Sequence, residues 1–375
     1  MRSRTPFAWR NLTHRKVRAL VALSGVTFSV LLIFMELGFH AAILSSATAV
    51  YDATDADIFL ISPQYQYLGQ TGTIPRTRLF QAKSVSGVTD AVAFYADTQQ
   101  WRNPVSRLRY QILLLGFDPS KNPLQLPAES MKLLTDGRIL IDSLSRPHFG
   151  PQDPGTTTEI GGYRIQISGQ YRIGPGFATD GAAVTSEDTF LSLHKSGSPE
   201  QVSLGLVHVR PAAGVAAAAA ALRTIIPTDT RVLTRAEMMA QEDDFWARET
   251  SIGPVFALGA GLGLVVGVVI LYQVMATDIA NRMREYATLL ALGYDHATLK
   301  WIVFEEVSIF AVVGFGFGWI LSVALYKAVR DNTGLPMTMP VSRAALILIL
   351  TVFMCWSAGL LAMRKLRQAD PAVLY

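Results

Sequence analysis

Four long apolar stretches constrain this chain more than anything else in it. Residues 19–44, 252–277, 301–326 and 344–363 each reach the roughly 18–25 residues that the core of a bilayer demands of a crossing helix. The first carries no charge from Ala19 until Glu36, and the second none from Ile252 to Thr277. Backbone polar groups in lipid must be satisfied within their own segment, so the four stretches read as membrane-spanning helices. Only 17% of the residues are charged, against about a quarter in ordinary soluble domains, which agrees with that reading. Basic residues precede the first stretch. It is too long for the apolar core of a cleaved signal peptide and lacks a small-residue cleavage site, so it reads as a retained anchor.

The placement of basic residues predicts the orientation. Residues 1–18 hold Arg2, Arg4, Arg10, Arg15, Lys16 and Arg18 with no acid, and the tail 364–375 holds Arg364, Lys365 and Arg367 against Asp370. Positive flanks stay on the cytoplasmic side, so both termini are expected there, with the segment 278–300 beside them and 45–250 on the opposite side. That outer segment carries 18 basic and 21 acidic residues, so the overall charge of +4 comes from the inner pieces. The basic balance is thus a topology signal and gives no support to nucleic-acid binding. Lys327, Arg330 and Arg343 on the second outer connection, 327–343, run against the rule locally.

Between the first two spans the sequence predicts a large domain of mixed α and β structure over 45–232. DADIFLISP (55–63), RYQILLLGFDP (109–119), GRILID (137–142), YRIQISGQYRI (163–173) and LGLVHVRP (204–211) are short β-rich runs closed by Pro, Gly or Asp. The Ala-rich stretch 212–226 reads as a helix ending before Pro227, and with the strand around 231–233 it suggests a small ferredoxin-like unit. A stalk helix over 233–251 is expected to run straight into the second span. With Cys355 as the only cysteine, no internal disulfide holds this domain, and at about 200 residues its own core suffices.

The inner segment 278–300, DIANRMREYATLLALGYDHATLK, has helical period. Ile279, Met283, Tyr286, Ala287, Leu290 and Tyr294 share one face, and Asn281, Arg282, Arg284, Glu285 and Thr288 the other, which predicts a short amphipathic helix. Such a helix, tied at both ends to membrane spans, either receives a push from a soluble partner or rests in the headgroups. Another amphipathic helix is expected over 1–18. Gly259, Gly263 and Gly267 form two overlapping G-x-x-x-G spacings on the second span, and Gly314, Gly316 and Gly318 lie on the third, so these faces can pack closely against other helices of the chain or of a second copy. Glu36 and His40, four residues apart, share a face where the first span meets the interface. Glu305 and Glu306 sit near the cytoplasmic end of the third span, where they either pair with Arg282, Arg284 or Lys300 or relay protons.

Signatures of catalysis are absent from the sequence. It contains no Gly-Lys dipeptide and hence no P-loop, no H-E-x-x-H and no G-x-S-x-G, and its six histidines are scattered. The acids Glu187-Asp188 and Glu242-Asp243-Asp244 read as solvated helix ends rather than as paired catalytic carboxylates. No cofactor is expected on this chain.

Several stretches together resemble the FtsX/MacB-like permease family of ABC transporters, and within it the DevC type. The opening FAWRNLTHRKVRALVALSGVTFSVLLIFMELGF, the entry DADIFLISP, the segment FATDGAAVTSEDTFLSL at 177–193, the stalk VLTRAEMMAQEDDFW and the block IGPVFALGAGLGLVVGVVILYQVMATDIANRMREYATLLALGY are similar to that family, as is the tail ADPAVLY. The resemblance implies an α+β membrane protein of four transmembrane helices with a large periplasmic α/β domain between helices 1 and 2, acting as a non-catalytic homodimeric permease of the bacterial inner membrane. It implies a separate ABC ATPase subunit carrying the ATP and Mg²⁺, docked on a coupling helix matched here by Arg284, Glu285, Tyr286, Ala287, Thr288, Leu289, Leu290, Ala291, Leu292 and Gly293. Arg284 stands where the family has a proline. For the DevC type it further implies a periplasmic membrane-fusion adaptor and a TolC-like outer-membrane channel exporting lipid, glycolipid or another small hydrophobic substrate. A regulatory alternative is implied too: an FtsX-like protein that activates a periplasmic cell-wall hydrolase.

Overall fold

A computed structural model of the chain describes residues 16–368 except 175, 195–197, 284, 286, 287, 289–291, 293 and 294. It resolves into two compact units, one holding residues 42–252 with 333–336, the other the apolar helices. The chain is a mixed α+β structure with four long apolar helices: α1 (Lys16–Asp52) ahead of the domain, and α7 (Ile252–Asn281), α8 (His296–Thr333) and α9 (Val341–Gln368) after it.

The domain between α1 and α7 is built on a nine-stranded sheet. In chain order its elements are β1 (Ile58–Ile61), β2 (Ile74–Pro75), α2 (Thr77–Lys83), β3 (Val88–Arg102), β4 (Arg109–Phe117), α3 (Ala128–Lys132), β5 (Arg138–Asp142), β6 (Thr157–Ile160), β7 (Tyr163–Tyr171), β8 (Ala182–Ser186), α4 (Glu187–Leu193), β9 (Gln201–Val202), β10 (Leu204–Val209), α5 (Val215–Ile225), β11 (Arg231–Thr234) and α6 (Arg235–Asp244). The strand order is β11-β1-β10-β3-β4-β8-β5-β7-β6, and β3 also pairs with β6 through Trp101 opposite Ile160 and Arg102 opposite Glu159. That second pairing closes β3, β4, β8, β5, β7 and β6 into a ring, so one long strand serves both the open sheet and the closed part.

Burial on both faces explains the unbroken apolar runs of the central strands. In β1, Ile58 and Leu60 join the core under α2 and α5, while Phe59 and Ile61 join the opposite core with Val50, Tyr51 and Met238. The run Ile112 to Leu115 in β4 alternates in the same way. The five β-rich runs expected from sequence are present as β1, β4, β5, β7 and β10, and the strand expected around 231–233 as β11. The longest strand, β3, was not anticipated, because Thr98, Gln99 and Gln100 dilute its apolar pattern.

Trp101 locks the ring. It is fully buried, its Nε1 donates to the Phe149 carbonyl at 3.0 Å, and its ring meets the Phe149 ring edge-on at 5.7 Å. Trp101→Ala is expected to cost about 3–5 kcal/mol, the usual range for emptying a large aromatic site, and Trp101→Phe distinctly less. Chemical denaturation of the detergent-solubilised protein measures both, and an alanine variant as stable as the wild type would show that the indole does not hold the closure.

Three expectations meet corrections here. The stalk over 233–251 is not one helix: β11 runs to Thr234, α6 begins at Arg235, and a π-turn (Phe245–Glu249) follows. Thr250 then adopts extended geometry at φ −94° and ψ 161°, which ends the helical path before α7. The start of α6 carries a capping box, Thr234 with Glu237, that satisfies its first amides. Glu242 is not a solvated helix end either; it is 1% exposed. Of the other acids read that way, Glu187 is half-buried and accepts from Arg76 and Tyr95. The helix expected over 1–18 falls largely outside the described residues, and so do eight residues of 278–300; of the rest of that segment, 278–281 end α7 and 296–300 begin α8.

Candidate functional site: helix crossings and the segment between the second and third apolar helices

In the helical unit, α1 packs against both α7 and α8, and its valines and the glycines of its partners decide how closely. A Cβ on Gly263 would lie 2.8 Å from Leu32, and one on Gly267 2.8 Å from the Ser29 hydroxyl and against the Met354 sulfur of α9. A Cβ on Gly259 would meet the Glu36 carboxylate. On α8, Gly314 faces Val26 and Gly318 faces Val30, each with 2.5 Å left for a Cβ. Gly259, Gly263, Gly267, Gly314 and Gly318 therefore serve crossings within the chain. Gly316 and Gly261 meet nothing within 4 Å. Glycine is required at the crossings because backbones this close leave no room for a side chain.

Charges concentrate where α7 ends. Arg282 Nε lies 2.9 Å from Asp278 Oδ2 as an ion pair, with side-chain exposures of 6% and 8%. Arg18 of α1 approaches the other Asp278 oxygen at 3.7 Å. Glu306 of α8, buried, lies in the field of Arg282 and Asp278, and its Oε2 has no hydrogen-bond partner among the described residues. Among the described residues, Asp278, Arg282 and Glu306 are thus buried together, with the partly exposed Arg18 of α1 at their edge. Glu305 beside Glu306 is half-buried. The i,i+4 spacing of Asp278 and Arg282 at the end of an apolar run was visible in sequence; Arg18 and Glu306 arrive only through folding.

Of the residues expected to form a coupling helix, Glu285, Thr288 and Leu292 are described. All three are exposed, Leu292 at 71%, and the Leu292 amide donates to the Thr288 carbonyl at 3.0 Å. Their spacing of three and four places them on one helical face. Arg284, Tyr286, Ala287, Leu289, Leu290, Ala291 and Gly293 lie outside the described residues.

Residues 257–371, which take in the rest of α7, this segment, α8 and α9, match the family model described as FtsX-like permease C-terminal. Among solved structures, the extracellular domain of the noncanonic ABC-type transporter YknZ from Gram-positive bacteria is similar at 13% identity and a TM-score of 0.34, covering 48% of this chain and 99% of that one. The periplasmic region of MacB from Actinobacillus actinomycetemcomitans is similar at 9% identity and a TM-score of 0.37, covering 49% and 92%. A domain of a putative permease protein from Porphyromonas gingivalis is similar at 12% identity and a TM-score of 0.30, covering 48% and 86%. No curated protein matches the chain. Residues 257–371 of this chain thus match the FtsX-like permease C-terminal model, on an α+β chain with four apolar helices.

Proposed function

We propose that the chain is the membrane subunit of an ABC-type transporter of the inner membrane, with both termini in the cytoplasm, working as a pair of copies that transmit force and catalyse nothing themselves. A separate ATPase subunit, holding ATP and Mg²⁺, seats on the segment 284–293. Its closure displaces that segment, and the displacement passes through the helices to the periplasmic domain. That domain engages a membrane-fusion adaptor and, through it, a TolC-like channel, in the manner of the DevC type, to export a lipid, glycolipid or small hydrophobic substrate. The observation that carries this reading is the match of 257–371 to the FtsX-like permease model, which spans the segment where Glu285, Thr288 and Leu292 stand exposed on one face. An exposed leucine flanked by polar side chains is the chemistry of a docking surface rather than of a core.

Glu285→Arg combined with Leu292→Arg is expected to weaken co-purification with the ATPase encoded beside this gene at least tenfold, a loss of about 1.4 kcal/mol or more, and to remove stimulation of its ATP hydrolysis. Association and stimulation at wild-type levels in a variant that folds normally would exclude docking on this segment.

A further inference from the structure

Glu242, on α6, stands where two distant parts of the domain meet. The Tyr51 hydroxyl, at 3.1 Å, and the Tyr65 hydroxyl both stand within hydrogen-bond reach of its Oε1 and of each other, two protons serving three contacts. Its Oε2 accepts from the Trp246 indole at 3.2 Å. Tyr51 belongs to the last turn of α1, Tyr65 to the loop after β1, and Trp246 to the π-turn. No ion pair among the described residues includes Glu242. Beside it lies a cavity of about 20 Å³ lined by Ala47, Val50, Leu68, Phe177, Thr179 and Trp246, none of them charged. The nearest cation on its own helix, Arg235, is engaged elsewhere, donating to the carbonyls of Tyr51, Thr54 and Ala56.

With two tyrosine hydroxyls, the Trp246 indole and the Leu68 backbone amide as donors and no paired cation among the described residues, the Glu242 carboxylate is pulled two ways. The donors favour the charged form, burial the neutral one. Burial prevails, and the Glu242 carboxyl is pushed up to about 7. The neutral form is readily accommodated, because a tyrosine hydroxyl can turn to accept the added proton while the indole N–H, which only donates, keeps Oε2.

The element that this carboxyl grips is unusual. The Thr250 amide donates to the Phe245 carbonyl at 3.1 Å, five residues back, and the Thr250 hydroxyl to the Trp246 carbonyl at 2.7 Å. The Phe245 and Trp246 rings close around Tyr67 at 5.2 and 5.4 Å, and Phe177 meets Trp246 at 5.5 Å. A π-turn holds one residue more than an α-turn and can shed it by a shift of register, which makes it a natural hinge.

We propose that Glu242, with Tyr51, Tyr65 and Trp246, is a proton-operated latch that holds the π-turn 245–249 to the end of α1, closed while the carboxyl is protonated and released when it ionises. Ionisation leaves a buried charge without a counter-ion, and opening relieves it by admitting water. The closed form binds the extra proton between the ordinary carboxylate range and about pH 7, so closure weakens as pH rises through that window and levels off above it. The latch does not depend on the transporter reading, and its test needs no partner protein.

Amide hydrogen exchange on the full-length protein in nanodiscs, corrected for intrinsic rates, reads the latch directly. Protection of 242–251 is expected to fall at least tenfold from pH 5 to pH 7 and then to level, with the six-stranded ring unchanged. Glu242→Gln, uncharged throughout, should keep protection flat across that range. Tyr65→Phe removes one donor to the charged form and should move the levelling point to higher pH. A flat wild-type profile, a glutamine variant with the wild-type slope, or a levelling point that stays or falls in Tyr65→Phe would each overturn the proposal.

Discussion

Gly318→Leu is expected to abolish recovery of folded protein from membranes, whereas Gly316→Leu, two residues away on the same helix, leaves recovery and melting temperature nearly unchanged. The contrast follows from what each position faces. A first side-chain carbon at Gly318 would stand 2.5 Å from Val30 Cγ1, 2.8 Å from Val30 Cβ and 3.2 Å from the Thr27 carbonyl, while Gly316 has open space. Valine in a helix holds essentially one rotamer, so it cannot swing away, and α1 and α8 must separate instead. Overpacking of this kind costs roughly 1–3 kcal/mol for a small intrusion and more for a branched one. Even Gly318→Ala should lower the melting temperature, and Val30→Ala in the same chain should recover much of that loss. Such non-additivity is the mark of direct contact. Thermal melting followed by fluorescence-detected gel filtration compares all four variants, and equal behaviour of the 316 and 318 leucine variants would refute the crossing.

Arg282→Ala should be the other severe change, about 3–5 kcal/mol, because removing one partner of a buried pair strands the rest. Asp278, at 8% side-chain exposure, would lose its 2.9 Å contact, and Glu306 would lose the positive field of Arg282. Replacing both partners, Asp278→Asn with Arg282→Gln, should cost markedly less than Arg282→Ala alone, since it removes the charge instead of exposing it. The same melting assay decides, and a double variant worse than the single one would show that the ion pair is itself stabilising. Because Arg282 leads directly into the segment proposed to receive the ATPase, variants that still fold also ask whether this cluster fixes that segment in place.

How much of this was legible in advance depends on how local the determinant is. The spans could be read directly, since each is a run of apolar residues long enough to cross a bilayer whatever its neighbours do. The strands β1, β4, β5, β7 and β10 could be read for a similar reason, as compact β-rich runs with turn residues at their ends. The glycines of α7 and α8 announced close packing, but not whether Val26, Val30, Ser29 or another molecule would fill the space. The stalk was overextended because Leu, Met, Glu and Gln favour helix and nothing in their periodicity marks the π-turn or the extended Thr250.

Residues 278–300 and the four spans belong to the sequence alone: hydrophobic length, charge placement and the block resembling the FtsX-like family are one-dimensional properties, and each carries its meaning unfolded. Glu242 belongs to the tertiary structure. In sequence it is the first of three acids in QEDDFW and looks solvated; folded, it meets Tyr51 and Tyr65 from 191 and 177 residues away and loses its water. The same holds for the β3–β6 closure and for Arg18 and Glu306 converging on Asp278 and Arg282. Burial of a polar group depends on which distant surfaces arrive around it, and local pattern reports only what each segment prefers before they do.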